Sequence, residues 1–323
     1  METIICKYLR EKLNKENQLA VYMNMPAVFN HSVPDDMDDN WQDAQYPRCV
    51  FDLNMQADAE RKIAGRLLID VMCENEVQGV QPEELAEIIK TEIDGCFFST
   101  SDLTISAQWR TSDVFTENDN KVSGITLNFD VLAYPVQETE YPDPVLAVNL
   151  WLKTLYQNAR VIGRDTLPEV WKPSDESPAI YCRLSDLVEG RMKSTAAVTW
   201  IGAIMRVNIM APSEKVRSVI SKNSIQILAN ATRLILNDGS PMLIDKVSAN
   251  LGADPLKEGQ VQIRATYGVL NDFSGTPLKN IFVTGKGAVD NMVSHKSSTD
   301  ENALTDDVMN LLTDNDGTRL MSN

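Results

Sequence analysis

Apolar and polar residues alternate through residues 63–71, where Ile63, Gly65, Leu67, Ile69 and Val71 fall on one side. The alternation returns 138 residues later with Ile201, Ala203, Met205, Val207 and Ile209. A period of two predicts a strand with one buried face. The two stretches, "IAGRLLIDVMCENE" and "IGAIMRVNIMAPSE", also align Met72 with Met210 and Glu76 with Glu214. Self-similarity of this kind governs the whole reading, because it makes the chain a tandem of one building block.

The flanking patterns repeat as well. "IICKYLREKL" (4–13) sets Ile5, Tyr8, Leu9 and Leu13 on one helical face, and "VLAVNLWLKTLY" (145–156) does so with Val148, Trp151, Leu152 and Leu155. Short strands follow at "QLAVYMNM" and "ARVIG", then Pro-led strands at "YPRCVFDLN" (46–54) and "SPAIYCRLS" (177–185), which match Pro47 with Pro178. After the alternating strand comes a helix in each half. The first, 81–94, has Pro82 in its opening turn and a Leu85, Ile88, Ile89, Ile93 stripe. The second, 212–239, is expected to start at the cap Ser213, to bury Val216, Val219, Ile220, Ile227, Ala231 and Leu234, and to stop at Gly239. Hairpins over 103–134 and 243–272 close the halves, with Ile125, Phe129, Val131 and Leu132 set against Ile263, Tyr267, Val269 and Leu270. Phe129 and Tyr267 sit in apolar strands and are assigned to the cores.

These elements give an α+β fold: two tandem similar domains, each an antiparallel sheet with helices packed on one face. The divisions expected are a domain over 1–135, a Pro-rich linker over 136–144, a second domain over 145–282 and an acidic tail over 283–323. In the tail, Leu304, Val308, Leu311 and Leu312 recur at helical spacing and are candidate oligomer or partner contacts.

Charge separates the halves. Residues 1–141 carry 11 basic and 26 acidic side chains, residues 142–282 carry 16 and 13, and residues 283–323 carry 3 and 7. An acidic first half repels phosphate, which opposes a nucleic-acid grip there. The N-terminus mixes acids and bases and lacks the pattern of a secretory signal. The longest apolar run, 196–205, is half of the roughly 20 residues that cross a bilayer and reads as a buried strand. No membrane role is expected. The five cysteines (Cys6, Cys49, Cys73, Cys96, Cys182) form no CxxC pair, and Cys73 and Cys182 lie in apolar runs as small buried hydrophobes.

Candidate chemistry is sparse. The loop 31–43 gathers Asp35, Asp36, Asp38, Asp39 and Asp43 beside His31. It lacks the glycine and closing glutamate of a calcium loop and reads as a solvated insertion of the first half alone. Pro34-Asp35 followed by Glu60-Arg61-Lys62 resembles the PD…ExK pattern of magnesium-dependent nucleases, which makes Asp35, Glu60 and Lys62 the rival, enzymatic reading. The second half has "TAAVTW" where that pattern would recur. Asp314, Asp316 and Gly317 are a fragment of a calcium loop within an acidic terminus. No phosphate-binding glycine loop, nucleophile elbow or HExxH is present. No cofactor, metal or catalytic residue is assigned.

The order of elements, with its "YLREKL" helix, its "YPRCVFDL" strand after an acidic loop, its "PEELAEIIKTEI" helix and a hairpin ending "ITLNFDVLAYPV", resembles the tail terminator (tail completion) proteins of tailed bacteriophages. That resemblance covers 1–135 and reaches 145–272 through the repeat. It implies a non-enzymatic virion protein that self-associates into a ring, in that family usually a hexamer, capping the tail tube and joining it to the neck. Tube and neck proteins would be its partners, and its site the virion tail, assembled in the host cytoplasm. DNA would pass through the channel without specific binding, for which an acidic lining is suited. Baseplate and head-tail connector adaptors share this fold idea and are the neighbouring alternative.

Overall fold

A computed structural model of the chain describes residues 1–13, 19–55, 64–75, 81–117, 121–136 and 141–271. The first half runs α1 (Glu2–Leu13), β1 (Val21–Tyr22), β2 (Met25–Pro26), β3 (Val28–Asn30), β4 (Trp41–Gln42), β5 (Arg48–Met55), β6 (Gly65–Glu74), α2 (Pro82–Ile93), β7 (Phe97–Ser99), β8 (Leu103–Glu117) and β9 (Val122–Pro135). The second runs α3 (Pro144–Leu155), β10 (Arg160–Ile162), β11 (Val170–Trp171), β12 (Ala179–Glu189), β13 (Val198–Met210), α4 (Glu214–Ala231), β14 (Arg233–Ile235), β15 (Pro241–Ala249) and β16 (Val261–Leu270).

The two halves are wound identically. In the first sheet the first half's own strands lie in the order β3-β5-β6-β9-β8-β7, with β11 added beyond β7, and in the second sheet the order is β10-β12-β13-β16-β15-β14. Each begins with a parallel pair, β3 with β5 and β10 with β12, and is antiparallel from there on. A parallel neighbour cannot be reached by a tight hairpin; it needs a connection of about a dozen residues or more. Residues 31–47 and 163–178 supply it, one loop per half. The acidic loop is therefore not an insertion of the first half, as its composition suggested. The extra piece there is the β1–β2 hairpin, for which the second half has only the short link from α3 to β10.

Register fixes which residues correspond. Arg48 faces Met72 and Ala179 faces Met210, so the matches of Pro47 with Pro178 and of Met72 with Met210 stand. In the closing strands, Leu67 faces Phe129 while its counterpart Met205 faces Ile263. Phe129 thus corresponds to Ile263 and not to Tyr267, four residues on. An even slip keeps every side chain on its own face, so alternation alone could not reveal it.

Both helices of each half cover one face of its sheet. In the first core, Ile5 and Leu9 of α1 and Leu85, Ile89 and Ile93 of α2 meet Phe51, Leu67, Ile69 and Phe129. In the second, Val148 and Leu152 of α3 and Ile220 and Leu228 of α4 meet Cys182, Met205, Val207, Ile263 and Tyr267. Phe129 and Tyr267 are buried, as the apolar strands require. Two details of α4 differ from the expected pattern. It ends at Ala231, where Thr232 takes a left-handed φ of 56°, so Leu234 belongs to β14 and Gly239 to the turn before β15. Its buried face also includes Ser221 and Ser224, while Val219 and Ile227 are exposed. Polar residues serve there because the Ser221 hydroxyl donates to the Arg217 carbonyl at 2.8 Å, and the Tyr156 hydroxyl, which donates to the Ile220 carbonyl at 3.1 Å, lies 3.2 Å from Ser224 Oγ. Ser213 holds the cap position without a side-chain hydrogen bond.

Both halves belong to one compact unit spanning Met1–Phe273. Among the described residues no helix is long and apolar enough to cross a membrane.

Candidate functional site: the strand-addition surfaces

The two halves join through the addition of one strand of the second half to the sheet of the first. The loop 163–178 leaves the second sheet and lays β11 antiparallel along β7, the outer strand of the first sheet, pairing Val170 with Phe98 and Trp171 with Phe97. The Trp171 ring stacks on Phe97 with centroids 4.8 Å apart, and its indole N–H donates to Ser99 Oγ at 3.0 Å. The Ser99 backbone N–H donates to the Glu169 carbonyl at 2.9 Å, which extends the pairing by one residue. A third apolar cluster lies underneath, built from Phe97, Leu132 and Tyr134 of one half and Ile162, Tyr181 and Met210 of the other. Tyr134 and Tyr181 meet edge to face at 5.3 Å, and the Tyr181 hydroxyl donates to the Pro135 carbonyl at 3.0 Å. Around the rim, Lys172 Nζ donates to the Thr91 carbonyl at 2.7 Å and Lys7 pairs with Glu169 at 3.2 Å. The buried aromatic centre supplies the cohesion here; the exposed Lys7 pair adds little.

The corresponding loop of the first half folds back. β4 pairs with β1, and β1 with β2, in a small separate sheet. Trp41 packs edge-on against Tyr22 at 5.0 Å and Phe29 at 5.7 Å, and donates its indole N–H to the Asp35 carbonyl at 3.0 Å. Trp41 and Trp171 hold the same place, each in a two-residue strand shortly before the Pro-led strand of its half. That repetition was present in the sequence and went unread, because a lone aromatic in a polar loop carries no periodicity.

Three carboxylates of the acidic loop, Asp35, Asp36 and Asp38, have local partners. Asp35 Oδ1 accepts from the Met37 N–H at 2.8 Å, and Asp36 pairs with Arg48 at 2.6 Å. Asp38 accepts from the Asn40 N–H at 2.9 Å and the Tyr22 hydroxyl at 3.0 Å; the Asn40 bond, seconded by Tyr22, lowers its pKa. His31 Nδ1 lies 2.6 Å from Asp52 Oδ1. Among the described residues no group of three His, Cys, Asp or Glu side chains is placed to hold a metal ion. Of the nuclease pattern, Asp35 is thus engaged in a turn, and Glu60, Arg61 and Lys62 lie outside the described residues. Leu304, Val308, Leu311 and Leu312, with Asp314, Asp316 and Gly317, also lie outside them.

Cys49, Cys73, Cys96 and Cys182 are buried, and burial pushes all four thiols up, Cys73 and Cys96 to about 11. They pack as small hydrophobes, as the apolar runs around Cys73 and Cys182 indicated. No family model, curated protein or solved structure matches this chain.

Proposed function

We propose that the chain is a non-enzymatic structural protein of a phage virion that assembles into a ring at the head-proximal end of the tail tube. The observation that carries this reading is the junction of two like α+β units by strand addition, in which a loop of one unit meets the sheet edge of the other. A contact between unlike surfaces of like units is the heterologous kind, and heterologous contacts build rings when their rotation closes. The acidic first half, with 26 acidic against 11 basic residues over 1–141, suits a channel wall past which DNA slides without being held. Tube and neck proteins are the partners this reading requires, and baseplate or head-tail connector adaptors are its near relatives.

The test is the mass of the purified full chain by light scattering, with negative-stain images of the same sample. Closed rings of several copies are the expected result. Persistent monomers over a wide concentration range would overturn the self-assembling ring. A labelled chain should decorate the head-proximal end of assembled tails; label at the opposite end would move the assignment to a baseplate adaptor.

A further inference from the structure

β8 and β15 hold the same place in their units, and each is longer than the short strand that borders it. β7 and the turn before it cover β8 only as far as Trp109, whose N–H donates to Asp94 Oδ1 at 2.8 Å. β14 covers β15 only as far as Ile244, whose N–H donates to the Thr232 carbonyl at 2.8 Å. Beyond those points both strands run on as sheet edges: over 111–117 β8 pairs with β9 alone among the described residues, and over 246–249 β15 pairs with β16 alone. The direction of their backbone groups follows from the ladders. Val131 accepts from the Ala64 N–H on the β6 side, so by alternation Leu127 and Ile125 also point to β6, and Ser112 and Val114 opposite them point out of the sheet. Ile244 points away from β16, so Ala265 opposite it, and with it Ile263 and Val261, point to β13; Val247 and Ala249 opposite those two point outward. Such edges are templates for another strand, and Val114 stands on one of them 73% exposed.

We propose that the β8 edge of one copy adds antiparallel to the β15 edge of a second copy, joining the first sheet of one chain to the second sheet of the next. Outward groups have to meet outward groups, which sets Val114 opposite Val247 and Ser112 opposite Ala249. Directly opposed residues share a face. Val114 lies across from the core residue Ile125 and Val247 across from the core residue Ile263, so both valines stand on the helix-covered face of their sheets. The sheets therefore join with their helices on one side, and the exposed Val114 gains an apolar neighbour. Charge selects this occupant. On the other face the same register brings Lys246 opposite Phe115, with Asp113 and Glu117 as its diagonal neighbours and Arg264 beside it on β16; Lys246, Arg264, Asp113 and Glu117 are all exposed. A second β8 edge in that place would instead set acids against acids. On the larger scale an acidic first half, with 26 acidic against 11 basic residues over 1–141, meets a second half with 16 basic against 13 acidic over 142–282. Each chain presents one edge of each kind, so copies join head to tail. The proposal rests on the ring reading and names the contact that would build it.

Two measurements on the full chain test it. The first mixes the single variants Asp113→Cys and Ser248→Cys under mild oxidation. These exposed positions would face each other as a non-hydrogen-bonded pair, with Cα atoms about 4.5 Å apart and within disulfide reach. A linked dimer from the mixture and from neither variant alone, together with a ladder from the double variant, is expected on a non-reducing gel. The second is the solution mass of Val114→Pro and of Lys246→Glu, with circular dichroism to verify folding. Proline is tolerated on an edge where the N–H it removes points out of the sheet, and it blocks the addition of a strand. Each variant should weaken association about tenfold or more. An assembled wild type that gives no cross-link, and whose mass neither substitution changes, overturns this contact and leaves the ring reading standing. Asp113→Cys that links to itself and not to Ser248→Cys overturns it in favour of two β8 edges meeting. A monomeric wild type overturns both the contact and the ring.

Discussion

Trp171 of the second half stacks on Phe97 of the first, ring centroids 4.8 Å apart and planes inclined by 29°. The two residues come from different sheets' worth of sequence, yet they are directly paired across an antiparallel ladder. Replacing Trp171 with alanine removes the stack, the bond to Ser99 and the cover over β7, and should destabilise the protein by about 3–5 kcal/mol. Trp171→Phe keeps an aromatic face and loses the indole donor, for about 1 kcal/mol. Urea unfolding of both variants, with hydrogen exchange at the β7 amides, checks the order. Equal stability of the alanine variant and wild type would remove the aromatic centre from the account of how the halves hold together.

Gly65 opens β6 directly opposite Met55, and a Cβ there would lie 2.1 Å from the Asn54 carbonyl oxygen and 2.9 Å from the Met55 Cα. Both obstacles are backbone, so no rotamer change relieves them. Gly65→Ala should cost about 3 kcal/mol, at the upper end for overpacking, and lower the midpoint of chemical unfolding. The counterpart residue by the 138-residue offset is Ala203, buried at 0% exposure, so the second copy tolerates the methyl that the first excludes.

The duplicated architecture was legible because alternation in β6 and β13, the helical stripes of α1, α2 and α3, and the paired prolines Pro47 and Pro178 all point to the same element order. What escaped the sequence lies at positions where periodicity is blind. A four-residue slip in the closing strand preserves facing, which hid the match of Phe129 with Ile263. Two-residue strands carry no pattern, so β4 and β11 were invisible, and with them the joint between the halves. Composition also misled: a row of aspartates marked 31–43 as an insertion, when chain geometry demands a loop there in both halves to reach a parallel neighbour. In α4, serines occupy the buried face because the Arg217 carbonyl accepts from Ser221 and the Tyr156 hydroxyl meets Ser224, which no hydrophobic stripe can announce.

Thiol chemistry should separate one cysteine from four. Cys6 is partly exposed, while the other four are buried and held protonated at neutral pH by desolvation. Burial, partly offset by Arg10, raises Cys6 as well. A thiol reagent at pH 8 should therefore react slowly with one group in the native protein and rapidly with five after unfolding. Fast native reaction of more than one thiol would contradict the packing of the strands that carry them.

Asp165 offers a pH test of the second half alone. Burial pushes its carboxyl up, but Lys153 at 2.7 Å, the Val161 N–H at 2.9 Å and Arg164 at 2.9 Å together outweigh that and hold its pKa below the ordinary carboxylate value. The folded state therefore favours the ionised form more than the unfolded chain does. Its contribution is complete at pH values above the unfolded carboxylate pKa of about 3.9 and is lost as pH falls through the lower, folded value. Asp165→Asn should cost about 2 kcal/mol at pH 7, where a charge-assisted network is replaced by a neutral amide. Below pH 4 the gap should shrink, because wild type loses the contribution on protonation while the asparagine variant has none to lose. Urea midpoints measured from pH 7 down to pH 3 give both curves. Parallel curves over that range would mean that Asp165 does not carry the charge that anchors the connection from α3 into β10.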